Sequence, residues 1–107
     1  MSPQRDSTQT RLVFRALRSS AQTWRHGYGI TQETGLAPGT LYPILARLTD
    51  RGLLESRWED DPPLGRPRRH LYRLSADGAA HATRLAAEPA KAPQVRGLLP
   101  RLADGRP

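Results

Sequence analysis

Between residues 34 and 73 the apolar positions change their spacing. Leu41, Ile44, Leu45 and Leu48 recur at three- and four-residue intervals, which lines them along one face of an α-helix. Residues 53–59 (LLESRWE) and 70–74 (HLYRL) then take up the alternation of half-buried strands, with Trp, Tyr and Leu suited to a pleated surface. Pro38 suits a first helical position, where its missing N–H and preset φ cost nothing, and Gly52 suits a C-terminal cap, so a helix is predicted over residues 38–51. The face opposite the leucines carries Gly39, Pro43, Ala46, Arg47 and Asp50, with Thr40 and Tyr42 on the flanks. Pro43 lies six residues in, where the lost backbone bond costs about 3 kcal/mol, and predicts a local bend.

Elsewhere the pattern is simpler. Leu12, Val13, Ala16, Leu17 and Ala21, with Arg11, Arg15 and Arg18 interleaved, predict a one-striped helix over residues 8–22. Residues 24–26 read as a short extended connection punctuated by Gly27, followed by a helix over 28–34 and a left-handed turn at Gly35. Ser75 is an N-cap and Asp77 a first-turn carboxylate for a further helix reaching residue 88. Pro89 and Pro93 interrupt the chain beyond that helix, and residues 94–103 form at most a short amphipathic segment through Val95, Leu98, Leu99 and Leu102. The predicted organisation is a disordered tail over 1–7, one domain over 8–88 and a Pro-interrupted segment over 89–107. Helices, then a helix, strand, hairpin tip and strand, is the order of a winged helix-turn-helix: mainly α with a small β-hairpin.

Composition narrows the function. A chain of 107 residues makes one small domain with little room for an enclosed active site. Its +7 charge and pI of about 11.2 favour a polyanionic partner, although sixteen of the seventeen basic residues are Arg, a bias that GC-rich coding also produces. Cysteine is absent, which removes disulfides and thiolate metal sites and suits a reducing cytoplasm. No apolar run has the length of a signal peptide or membrane span. His26, His70 and His81 lack metal-ligand spacing and Asp60–Asp61 sits beside prolines on a loop, so neither catalysis nor a cofactor is expected. His26 is expected to be structural or to face a phosphate. Trp24 and Trp58 are expected in the core, with an effector pocket as the other reading.

Double-stranded DNA is the partner these features fit best. Pro38, Gly39, Thr40, Tyr42, Pro43 and Arg47 form the candidate groove face: small residues allow close approach, Thr40 and Tyr42 reach phosphate, and Arg47 can hold a guanine bidentately. The hairpin tip is split into an acidic half, residues 59–63, and a basic half, residues 65–69. Arg66, Arg68 and Arg69 face no nearby carboxylate within their own motif and are expected to meet phosphate or the minor groove. The alternatives are a winged helix that binds RNA or serves as a protein-interaction module.

The strings HGYGI (26–30), TGLAPGTLYPILARL (34–48), GLLESRWE (52–59) and GRPRRHLYRLSADG (65–78) resemble the PadR-type transcriptional regulators. The resemblance implies a recognition helix over 38–51, a DNA-touching wing and a homodimer on a palindromic operator, usually as a repressor. It also implies a small aromatic or drug-like effector, as bound by some members. Candidate dimer contacts are Leu12, Leu17, Leu85, Leu98 and Leu102. Two departures stand out. Ala37, where the family often has Ser or Thr, forfeits a side-chain cap of roughly 1 kcal/mol. Pro89 and Pro93 shorten the C-terminal helix through which family dimers usually join.

Overall fold

The computed structural model describes residues 6–20 and 22–88. Seven elements run in order: α1 (Thr8–Ser19), β1 (Arg25–His26), α2 (Gly27–Thr34), α3 (Pro38–Asp50), β2 (Leu54–Trp58), β3 (His70–Leu74) and α4 (Ala76–Ala87). The strands form one antiparallel sheet in the order β1-β3-β2. Leu54 pairs with Leu74, Ser56 with Tyr72 and Trp58 with His70, and β1 adds Arg25 opposite Tyr72 and His26 opposite Leu71. The predicted hairpin is therefore two arms of a three-stranded sheet.

The helix stripes and the inner face of the sheet meet in a single core. Val13, Phe14 and Leu17 of α1, Ile30 of α2, and Leu41, Ile44, Leu45 and Leu48 of α3 pack with Leu53, Leu54, Tyr72, Leu74 and Ala82. All four apolar positions predicted for α3 are buried, and Gly39, Pro43, Ala46, Arg47 and Asp50 are all exposed. Leu17, expected at an interface between copies, is instead 1% exposed inside this core.

Local chemistry fixes the helix ends. The Ser7 hydroxyl accepts from the Thr10 N–H at 3.1 Å and starts α1. Asp6 continues inward: its carboxylate meets His81 Nε2 at 2.7 Å and Arg51 at 3.5 Å, tying the start of the chain to α4 and to the end of α3. Asp6 and Ser7 thus belong to the ordered domain, not to a loose tail. At the other end, Ser19 and Ser20 donate to the Ala16 carbonyl, and α1 stops at Ser19, short of the predicted residue 22.

Gly35 takes the left-handed conformation (φ 77°) after α2. α3 ends one residue earlier than predicted, through a pair of bonds in which Leu53 N–H donates to Leu48 and Gly52 N–H (φ 78°) donates to Thr49. That closure turns the chain straight from α3 into β2 and fixes how the hairpin leaves α3. Ser75 caps α4 by accepting from Gly78 N–H at 2.9 Å, while its own hydroxyl donates to the Gly52 carbonyl at 2.7 Å. Leu98 and Leu102, and the other expectations for residues 89–107, lie outside the described residues.

Candidate nucleic-acid interface

α3 presents its outer face without a side-chain N-cap, because Ala37 has nothing to offer the first N–H groups. Pro38, Gly39 and Thr40 are exposed over that first turn, and the space around Gly39 is open, so a backbone or groove edge can come close. The helix continues through Pro43 without interruption. One turn further on, Arg47 is exposed. Seven of the described arginines are paired with carboxylates: Arg11, Arg25, Arg51, Arg57, Arg66, Arg69 and Arg73. Arg47 is outside that set: among the described residues its guanidinium has no carboxylate partner, and it stands on the outward face.

Tyr42 links this face to α2. Its side chain is 43% exposed, yet the end of the ring lies so close to Gly27 that a Cβ there would stand 2.1 Å from the hydroxyl. Gly27 is the first residue of α2 rather than a break before it, and His26 is its N-cap, accepting from Gly29 N–H through Nδ1 at 3.0 Å. Of the two expectations for His26, this realises the structural one. Burial, followed by the charges of Arg69 and Arg25, holds the His26 pKa below its ordinary value and preserves the acceptor nitrogen. Arg69 and Arg66 of the wing both act on His26. With His26 paired opposite Leu71 of β3 and Gly27 against the Tyr42 ring, the start of α2 is held between the flank of α3 and the sheet.

In the wing the arginines are not turned away from carboxylates. Arg66 approaches Glu59 at 3.0 Å, and Arg69 Nε stands 4.0 Å from the same carboxylate. Arg68 donates to the backbone carbonyls of Glu59 and Asp60. The strand register is the reason: with Trp58 opposite His70, and Glu59 N–H donating to the Arg69 carbonyl at 2.8 Å, the acidic and basic halves of the tip face each other. Arg66 is the main cause of the lowered Glu59 pKa.

The tryptophans are not core residues either. Trp58 is 59% exposed and stacks on its cross-strand partner His70, with centroids 4.6 Å apart. The Trp24 ring carries the guanidinium groups of both Arg57 (4.9 Å) and Arg73 (4.4 Å). Two exposed aromatics thus join the candidate surface without having been foreseen: Trp58, and Tyr28, which is 67% exposed on the first turn of α2 and accepts from the Gln32 amide at 3.0 Å. For Tyr28 the available signal was its place opposite Ile30 on a short helix beginning at a glycine. Among the described residues no group of three or more His, Asp or Glu could hold a metal ion, and no helix is long and apolar enough to cross a membrane.

Three helices with a three-stranded sheet whose last two strands form a basic-tipped hairpin define a winged helix-turn-helix, a class built to bind duplex DNA. The chain belongs to the Transcriptional regulator PadR-like family, whose sequence profile matches residues 17–84, and it is accordingly a DNA-binding transcription regulator and not an enzyme. Among solved structures it is similar to a PadR family transcriptional regulator from Eggerthella lenta (30% identity, 71% of this chain and 69% of that one, TM-score 0.58). It is also similar to a PadR-like transcription factor from Bacteroides fragilis (25% identity, 73% and 76%, TM-score 0.61). A third is the PcaV transcriptional regulator from Streptomyces coelicolor, solved with its natural ligand (28% identity, 80% of this chain but 57% of that one, TM-score 0.64). No curated protein sequence matches.

Proposed function

We propose that the protein is a dimeric repressor that lays α3 in the major groove of each half of a palindromic operator and sets the wing against the adjacent backbone or minor groove. The unpaired guanidinium of Arg47 on the exposed face of α3 carries this reading, because a free bidentate donor on a helix of small outward residues is what guanine recognition needs. Pro38, Gly39, Thr40, Tyr42 and Pro43 surround it; Tyr28 and Trp58 extend the surface toward the phosphates. Arg66, Arg68 and Arg69 supply the wing's charge.

Dimerisation through α1 and the C-terminal segment, with Leu12 and Leu85 as contacts, doubles these interactions and suits half-sites about 10 base pairs apart or a multiple of that. Between α1 and α4 lies a cavity of about 480 Å³, where Phe14, Ala82 and Leu85 form an apolar lining beside Arg15 and Arg18. Its chemistry suits a small aromatic carboxylate, the ring on the apolar lining and the anion on the arginines, so that an effector would act beside the dimer contacts. PcaV having a natural ligand supports looking for one. The test is a gel-shift titration on the duplex upstream of the coding region, with scrambled duplex as competitor. Selective, salt-dependent binding is expected; equal affinity for RNA, or none for either duplex, overturns the reading.

A further inference from the structure

The charge of the wing is occupied before DNA arrives. Glu59 comes directly after the last residue of β2, and its two carboxylate oxygens lie 3.0 and 3.1 Å from Arg66 Nη2. The Arg69 backbone N–H reaches the same carboxylate at 3.4 Å. Arg68 is turned onto the Glu59 and Asp60 carbonyls, so all three wing arginines lean toward the acidic strand. Arg69 Nε is buried, yet it has no hydrogen-bond partner, 4.0 Å from Glu59. The cluster therefore retains an unused donor beside an anion that already holds its neighbour.

A carboxylate in this position presents what a phosphate presents: two oxygens and a negative charge between guanidinium groups. The same guanidinium face cannot serve both anions, and a DNA backbone drawn to the wing must either displace Glu59 or approach against its charge. We propose that Glu59 competes with DNA phosphate for Arg66 and Arg69, masking the wing and lowering affinity for nonspecific DNA. The inference rests on the reading that the wing meets DNA. It assigns Glu59 a role that the positive residues alone do not convey: random duplex, which offers only phosphate, must overcome the internal pair without the added base contacts of α3.

The experiment uses the full chain and fluorescence anisotropy on random-sequence duplex across a salt series. Glu59→Gln keeps the shape and removes the charge. It is expected to raise nonspecific affinity about two- to fivefold, the scale of one exposed ion pair, and to steepen the plot of log affinity against log salt by up to about 0.9 for each phosphate newly engaged. The gain should vanish in Glu59→Gln/Arg66→Ala, because the competitor and its target are then both gone. Circular dichroism checks folding, and Glu59→Ala provides a second charge-removing variant should Gln disturb the hairpin. Unchanged or weaker binding by the Glu59 variants, with weaker binding by Arg66→Ala/Arg68→Ala/Arg69→Ala, overturns the masking while leaving the wing contact standing. If the triple arginine variant also binds as the natural protein does, the wing contact itself falls, and the masking with it.

Discussion

Gly78, in the first turn of α4, lies directly under the carbonyl oxygen of Leu53: a Cβ at Gly78 would stand 1.8 Å from that oxygen and 2.8 Å from its carbon. The contact fixes α4 against the junction where α3 passes into β2, and Ser75 N–H, donating to the same carbonyl at 3.1 Å, holds it from the other side. Alanine is ordinarily better than glycine inside a helix by up to about 1 kcal/mol. Here the clash is with backbone, which has no rotamer to escape into. Gly78→Ala is therefore expected to destabilise by about 1–3 kcal/mol, as overpacked sites do. Urea unfolding followed by circular dichroism measures it, and a stabilised variant would show that α4 moves aside freely.

The cap on α2 gives a pH dependence with a definite sign. His26 accepts from Gly29 N–H through an unprotonated nitrogen, and burial with the charges of Arg69 and Arg25 lowers its pKa in the folded protein. The unfolded chain, with a pKa of about 6.5, takes up the proton first. Stability from this group is thus whole above about pH 6.5 and is lost as the pH falls through the lower folded value. His26→Asn retains a capping acceptor and does not titrate. Melting temperatures of both proteins between pH 8 and 5 should diverge on the acid side, with the natural protein falling further. Parallel curves would show that the His26 cap is not responsible.

How far the sequence speaks for itself depends on the range of the interaction. α3 was legible because Leu41, Ile44, Leu45 and Leu48 share a face whatever they pack against, and the arms of the hairpin because alternation survives in LLESRWE and HLYRL. The extended run at residues 24–26 was legible, but its pairing as β1 was not, since Arg25 and His26 have no alternation of their own and join the sheet only because β3 offers an edge. The tip was read by composition as acidic and basic halves, but their mutual pairing is a matter of register, which places residue 59 opposite residue 69. Trp24 and Trp58 fall outside the core for a related reason. Trp58 stacks on its cross-strand partner His70 at the end of β2, and the Trp24 ring is met by arginines of β2 and β3.

Assembly can be tested on the exposed part of α1. Leu12 is half-buried and is not part of the apolar core, unlike Leu17 on the same helix. A charge there should oppose association while leaving the fold intact. Leu12→Glu is expected to be folded by circular dichroism and monomeric by light scattering at tens of micromolar, where the natural protein is expected to be dimeric. A dimeric Leu12→Glu would move the interface elsewhere.

On α3, reading and anchoring should separate. Arg47 is exposed with no carboxylate partner, so Arg47→Ala should weaken the operator complex by about 1–3 kcal/mol and relax preference at one base pair if the guanidinium holds a guanine. Tyr42 sits on the flank, its hydroxyl at the edge of α2 over Gly27. A hydroxyl there reaches backbone, not base, and Tyr42→Phe should lower affinity for operator and scrambled duplex by the same factor. Competition titrations of both variants against a set of single-base operator changes distinguish the two roles. Should Arg47→Ala bind operator and scrambled duplex with unaltered affinities, α3 is not the reading element, and a Tyr42→Phe variant with altered base preference would reverse the assignment of the two residues.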